Sequence, residues 1–230
     1  MPLSNQQWLE NYFVNAEAII FDFDDTIVDE AFSIQKRWSI VLDKYENILN
    51  INNLKDCFFT IYENTGASYK FHIDDALSKL NIDKSFKNRI LQDFLSQKSQ
   101  EEFIFPSALK ILQLLHSKRF KLALFTNGLK KVQKKRIELV KIQHFFDHIQ
   151  YGDCSSKKPN TASFQFLSKS LKISIDKNFI MIGNSIDEDY IGATSFGATC
   201  ILVNCATNQT FNSPCYQSID DLYKDLMEIF

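Results

Sequence analysis

Residues Ala16–Glu30 read AEAIIFDFDDTIVDE, an apolar run that ends abruptly in acid. Ala16 to Phe23 is short and rich in Ile and Phe, the composition of a strand buried on both faces. Asp22, Asp24 and Asp25 crowd its end, and Thr26 closes the group. On extended backbone, side chains two residues apart point the same way, so Asp22 and Asp24 can face one cleft. Like charges held that close need a cation. An all-oxygen cluster suits magnesium, a hard ion that accepts carboxylate, backbone carbonyl and water ligands. The competing reading is an acidic cap on the following helical turn. Three aspartates straight after a buried strand are costly for a cap alone.

Moving outward, Lys121 to Thr126, Phe179 to Gly183 and Thr199 to Asn204 are further short apolar runs bounded by polar turns, and His148 to Tyr151 is a weaker one. Gly128, Gly152 and Gly183 each stand at or just past the end of such a run, where strands empty into loops. Helical spacing fills the intervals: Ala108, Ile111, Leu112 and Leu115, then Leu129, Val132, Leu139 and Val140, then Phe164, Leu167 and Leu171. Strand alternating with helix predicts an α/β chain, a parallel sheet covered on both faces, with ligands at the carboxyl ends of the strands. Glu30 to Phe105 breaks the alternation. Stripes at Ile34, Trp38, Val41, Leu42, Tyr45 and Leu49, at Ile73, Ala76, Leu77 and Leu80, and at Phe86, Ile90 and Phe94 predict consecutive helices. The expected organisation is therefore a catalytic core from 1–29 and 106–230 with an inserted helical subdomain at 30–105. Pro106 marks the first turn of the returning helix.

Bulk properties narrow the function. The chain has 230 residues, 45% of them hydrophobic and 23% charged, which suffices for one sizeable core with a subdomain. Its 26 Lys plus Arg against 28 Asp plus Glu give a net charge of −2, the wrong balance for nucleic acid as the main partner. No basic n-region precedes an apolar segment at the N-terminus, and no apolar run is long enough to span a bilayer, so neither export nor a membrane is expected. Five cysteines without a close CxxC pair argue against a disulfide framework or structural zinc and favour reduced thiols in a cytoplasm. Cys154 reads as structural, because nothing local supplies the His partner and lowered pKa that a nucleophilic cysteine needs. His144 and His148 read as packing residues beside Phe145 and Phe146, and Trp8 and Phe13 as core or cap contacts. Lys36, Arg37, Lys44, Lys70 and His72 of the insertion read as solvent-facing.

The DFDDT stretch resembles the first motif of the haloacid dehalogenase superfamily of phosphotransferases, and three further matches follow in that family's order. LFTNG at Leu124 to Gly128 is similar to the family's second motif, with its phosphate-binding hydroxyl at Thr126. Lys158, directly before Pro159 in KKPN, resembles the family's lysine. MIGNSIDEDYIGA is similar to the acidic loop after the fourth strand and brings in Asn184 and Asp189. Each piece has an ordinary reading, a turn, a solvated pair or an acidic helix start. Four together, each at a strand end, are hard to explain by chance.

The resemblance implies a Rossmann-like doubly wound fold with a helical cap that closes over the site, and a magnesium-dependent phosphomonoesterase acting on a small phosphorylated metabolite. It places Asp22 as nucleophile, Asp24 as proton donor and acceptor, and Thr126, Asn127 and Lys158 on the substrate. Magnesium would meet Asp22, Asp24 through its backbone carbonyl, Asn184 and Asp189. Asn184 departs from the family's aspartate, which predicts weaker metal affinity. Three alternatives stay open. A dehalogenase lacks the second carboxylate at Asp24, and similar mutases carry a histidine near Ile34. A non-catalytic phospholigand-binding protein would keep the fold without turnover. Sugar, polyol and nucleotide phosphates remain candidate substrates, and the oligomeric state is not legible.

Overall fold

A computed structural model describes residues 4–65, 71–97, 102–152, 157–173, 179–205 and 211–230. Cys154 and Lys70 lie outside them. The chain divides into two compact units, Met1–Glu30 with Glu102–Phe230, and Ala31–Glu101.

The first unit holds α1 (Asn5–Phe13), β1 (Ala18–Phe21), and, after the second unit's helices α2 (Glu30–Leu49), α3 (Leu54–Thr65), α4 (His72–Lys79) and α5 (Phe86–Gln97), the remainder of the chain. That remainder runs α6 (Pro106–Ser117), β2 (Lys121–Asn127), α7 (Lys130–Val140), β3 (His148–Gly152), α8 (Thr161–Leu171), β4 (Phe179–Gly183), α9 (Ile191–Phe196), β5 (Thr199–Leu202) and α10 (Ile219–Ile229). The strands form one parallel sheet in the order β3-β2-β1-β4-β5. Chain order reverses direction at β1, so the crevice of a doubly wound sheet opens beside its carboxyl end.

The period of two decides which residue packs where. Ile19 and Phe21 of β1 join Leu122, Leu124, Ile180 and Ile182 in a core under α1, α6 and α10. Ala18 and Ile20 face the other way, into a core with Phe125, Met181 and the α8 residues Phe164 and Leu167. Both faces of β1 are therefore apolar, which is why the run preceding Asp22 reads as continuous rather than alternating. Phe13 is held edge-on between Phe120 and Phe230, a core role for the segment before the first strand. His148 is partly buried with its ring centre 6.2 Å from that of Phe166, a packing contact, whereas His144 is exposed and its ring meets that of its chain neighbour Phe145, 4.1 Å between centres.

The second unit has its own core of Trp38, Val41, Leu42, Phe58, Leu77 and Ile90. Two of its residues depart from the solvent-facing reading. Arg37 and His72 are buried, because aromatic rings cover them: the Arg37 guanidinium lies 5.4 Å from the Phe94 ring centre and His72 tilts against Tyr62 at 4.9 Å. A cation on an aromatic face keeps part of its electrostatic stabilisation when it leaves water. Helix α7 departs too. Of the apolar stripe, Leu129, Val132 and Leu139 are exposed and Val140 alone packs against the core, while Gln133, Arg136 and Ile137 are buried. Among the described residues no helix is long and apolar enough to cross a membrane.

Candidate active site

Asp22 follows β1 directly, and its N–H still donates to Ile182 O of β4 at 2.9 Å, so the sheet ladder fixes its backbone. Across the crevice, Lys158 arrives from the loop before α8, whose first turn is capped by Asn160 accepting from the Ala162 N–H. Asn127, the last residue of β2, clamps Lys158 from both sides of its backbone. Its Oδ1 accepts from the Lys158 N–H at 2.8 Å and its Nδ2 donates to the Lys158 carbonyl at 3.1 Å. The Lys158 side chain is completely buried and its Nζ donates to Asp22 Oδ1 at 2.5 Å and to Asp189 Oδ1 at 2.6 Å.

Asp189 lies in a π-helical turn, Ile186–Tyr190, that follows β4. Wide turns of this kind re-aim a side chain within a helix and recur at functional sites. Its second oxygen accepts from the Ser185 N–H at 3.0 Å. Gly183 makes this approach feasible, because a Cβ there would stand 2.2 Å from Asp189 Oδ2. Asn184 is half-buried at the same strand end.

One ammonium thus serves two buried carboxylates. Burial pushes the Asp22 carboxyl up to about 7, against the pull of Lys158 and with further repulsion from Asp189 and Asp24. Burial also works against the Lys158 charge, but Asp22 and Asp189 overcome it and raise the ammonium above the ordinary lysine range. Lys158 is a fixed cation, and even beside it burial disfavours the charged form of Asp22.

Asp24 turns to different partners. Its Oδ1 accepts from Arg136 Nη1 at 2.6 Å and its Oδ2 from Gln133 Nε2 at 2.9 Å. The same Gln133 Nε2 donates to the fully buried Thr126 hydroxyl at 2.7 Å. Arg136 is held in turn by Glu102, in a two-bonded fork at 2.6 and 3.0 Å, and by Glu30. Neither Gln133 nor Arg136 stands out in the sequence, where both sit inside the lysine-rich run KKVQKKR. The signal that could have found them is their spacing of three, which places them on one face of α7.

The sequence-predicted residues therefore fall into two groups within the first unit. Asp22, Lys158 and Asp189 meet directly, with Asn127 supporting Lys158; Asp24 and Thr126 meet through Gln133. A sequence profile of haloacid dehalogenase-like hydrolases matches residues 19–203. The chain belongs to this family.

Relatives of this hydrolase include a glyceraldehyde 3-phosphate phosphatase of Methanothermobacter thermautotrophicus, 25% identical over 196 residues, covering 82% of this chain and 85% of that protein. A phosphoglycolate phosphatase of Aquifex aeolicus is 28% identical over 147 residues, covering 62% of this chain and 64% of that one. Among solved structures, the magnesium-bound HAD hydrolase YfnB of Bacillus subtilis superposes with a TM-score of 0.66 at 19% identity, covering 92% of this chain and 99% of that one.

For a metal, the donor chemistry is oxygen throughout: the Asp22 carboxylate, the Asp24 backbone carbonyl and the Asn184 amide. Among the described residues no three His, Cys, Asp or Glu side chains gather into a metal-binding cluster. Magnesium does not need one, since it commonly takes one or two carboxylates and keeps several waters. Both oxygens of Asp189 are already engaged, by Lys158 and by the Ser185 N–H.

Proposed function

We propose that this hydrolase is a magnesium-dependent phosphomonoesterase that releases phosphate from a small phosphorylated metabolite through an aspartyl phosphate on Asp22. The observation that carries the reading is the buried Asp22, Lys158 and Asp189 cluster at the carboxyl ends of parallel strands. A buried ammonium beside a strand-end carboxylate suits an anionic reactant: Lys158 offsets the repulsion between the Asp22 carboxylate and the phosphoryl oxygens. The Thr126 hydroxyl, held by Gln133, is a second contact for those oxygens. The part of Asn127 is indirect, since both ends of its amide hold the Lys158 backbone.

An Asp22 oxygen attacks phosphorus while the bond from phosphorus to the substrate oxygen breaks, and Asp24 delivers a proton to that departing oxygen. In the second step water attacks the same phosphorus and passes a proton to Asp24. The bond to Asp22 breaks, giving inorganic phosphate and the free carboxylate. Asp22, the Asp24 carbonyl and Asn184 would hold magnesium, and the bound ion supplies positive charge near the Asp22 and phosphoryl oxygens. Asp189 contributes by fixing Lys158. The division into this core and an inserted helical cap at 30–105 belongs to the same proposal.

The two phosphatase relatives point to short phosphorylated acids and aldehydes as the first substrates to test. The experiment is phosphate release from p-nitrophenyl phosphate and a panel including glyceraldehyde 3-phosphate and phosphoglycolate, with magnesium or with EDTA. Turnover should require magnesium, and Asp22→Asn should lower it by roughly 10³-fold or more, the scale of losing a nucleophile. Hydrolysis that survives in Asp22→Asn overturns the assignment. Tight phosphate binding without turnover in the unaltered chain favours a phospholigand-binding protein instead.

A further inference from the structure

The mechanism leaves the buried Arg136 beside the site unused. Arg136 is only 2% exposed, and every N–H of its guanidinium is engaged. Nε and one Nη2 proton bond the two oxygens of Glu102, the other Nη2 proton bonds Glu30, and the Nη1 protons bond Asp24 Oδ1 and Gln133 Oε1. A single fork with one carboxylate would neutralise this arginine. Here three carboxylates share it, and the third is Asp24. Burial opposes the charge, and Glu102, Asp24 and Glu30 restore it, so the guanidinium is a permanent fixture.

The consequence for Asp24 is geometric. Arg136 takes one of its oxygens and Gln133 the other, so both the direction of the side chain and the plane of its carboxyl are set. A proton can be delivered efficiently to a substrate oxygen only when the donor is aligned within a narrow range. Glu30 and Glu102 are moreover the residues at which the chain leaves and re-enters the first unit. The guanidinium therefore ties both crossings to the same carboxyl.

We propose that Arg136 is a positioning residue for Asp24, anchored in that task by Glu102 and Glu30. The inference rests on Asp24 being the proton donor, as argued above. Lysine cannot replace arginine here, because a point ammonium has no rigid fork to hold several partners at fixed angles.

The test compares kcat/KM for glycerol 3-phosphate, whose alkoxide must be protonated to leave, with that for 2,4-dinitrophenyl phosphate, whose phenolate needs no proton. Thermal melting confirms folding of each variant. Arg136→Lys should lower the first value by roughly 10²-fold, the scale of an aligned proton donor, and the second by much less. Their ratio should thus move by about tenfold or more. Glu102→Gln, which touches only the arginine fork, should move the ratio the same way, and the double variant little further than Arg136→Lys alone. Should Arg136→Lys not fold, Glu102→Gln, which weakens the fork that holds the arginine without removing it, carries the comparison and is read identically. Folded variants that lose both activities equally overturn the proposal. Asp24→Asn separates the two levels: if it shifts the ratio and the arginine variant does not, only the positioning role falls; if it leaves the ratio unchanged, the donor assignment falls and takes the positioning role with it.

Discussion

Asn184 lies at the end of β4, half-buried, beside a cluster whose charges are already committed. Lys158 bridges Asp22 and Asp189, and both oxygens of Asp189 are engaged. A magnesium ion held as proposed would draw its negative charge chiefly from Asp22, and the Asn184 amide would offer a carbonyl oxygen without a charge. Asn184→Asp should lower the magnesium concentration for half-maximal activity on the order of tenfold, equivalent to about 1.4 kcal/mol of binding. Titration of magnesium against phosphate release reads this directly, and an unchanged midpoint removes Asn184 from the ligand set. Asp22 and Asp24 were legible as candidates at this scale because acids placed straight after a buried apolar run demand a partner, whereas Arg136 lay hidden among lysines. The part Asn127 plays was not legible, because an amide can spend itself on backbone as readily as on substrate, and sequence does not record which.

Strand β4 and helix α7 carry constraints no single residue reveals. β4 must end in glycine: a Cβ at position 183 would lie 2.2 Å from Asp189 Oδ2 and 2.7 Å from its Cβ, in a fully buried strand that cannot retreat. Gly183→Ala would push Asp189 aside and slacken its hold on Lys158. We expect kcat/KM to fall roughly 10²-fold, the cost of an ångström-scale misplacement, with a stability loss of about 1–3 kcal/mol from overpacking. Phosphate release and urea unfolding on the same preparation separate the two, and full activity in the variant removes the Asp189 contact from the mechanism. Helix α7 shows why part of the site was hidden. Gln133 and Arg136 point inward beside Ile137 while Val132 and Leu139 point outward, so the helix buries polar groups that the usual amphipathic rule would expose. The inversion is possible because Asp24, Glu30 and Glu102 supply what a buried arginine needs, and those acids lie far away in sequence.

For the whole molecule, the sheet was legible because its strands are buried on both faces, which forces uninterrupted apolar runs ending at the chemistry. The same burial concentrates electrostatic stress at one point. In the metal-free protein the groups facing Asp22 are Lys158, Asp189 and Asp24, and burial with the neighbouring acids lifts its carboxyl from 3.8 to about 7. The folded chain then keeps a proton that the unfolded chain has released, so across that window the native state binds more protons. Stability contributed by this group is complete below the unfolded value and is lost as pH rises toward 7, at up to about 1.4 kcal/mol per pH unit. In the proposed site magnesium would bind the carboxylate and displace the proton, so its stabilising effect should grow over the same range. At pH 7.5 and roughly a hundredfold excess over its dissociation constant, magnesium should raise Tm by about 5–10 °C relative to EDTA, and by clearly less at pH 5. Asp22→Asn, which can hold no such proton, should flatten the pH dependence. Thermal melts across pH 5–8 with magnesium or EDTA make the measurement. A magnesium shift of constant size would separate the proton on Asp22 from the metal and undo the shared site on which both depend.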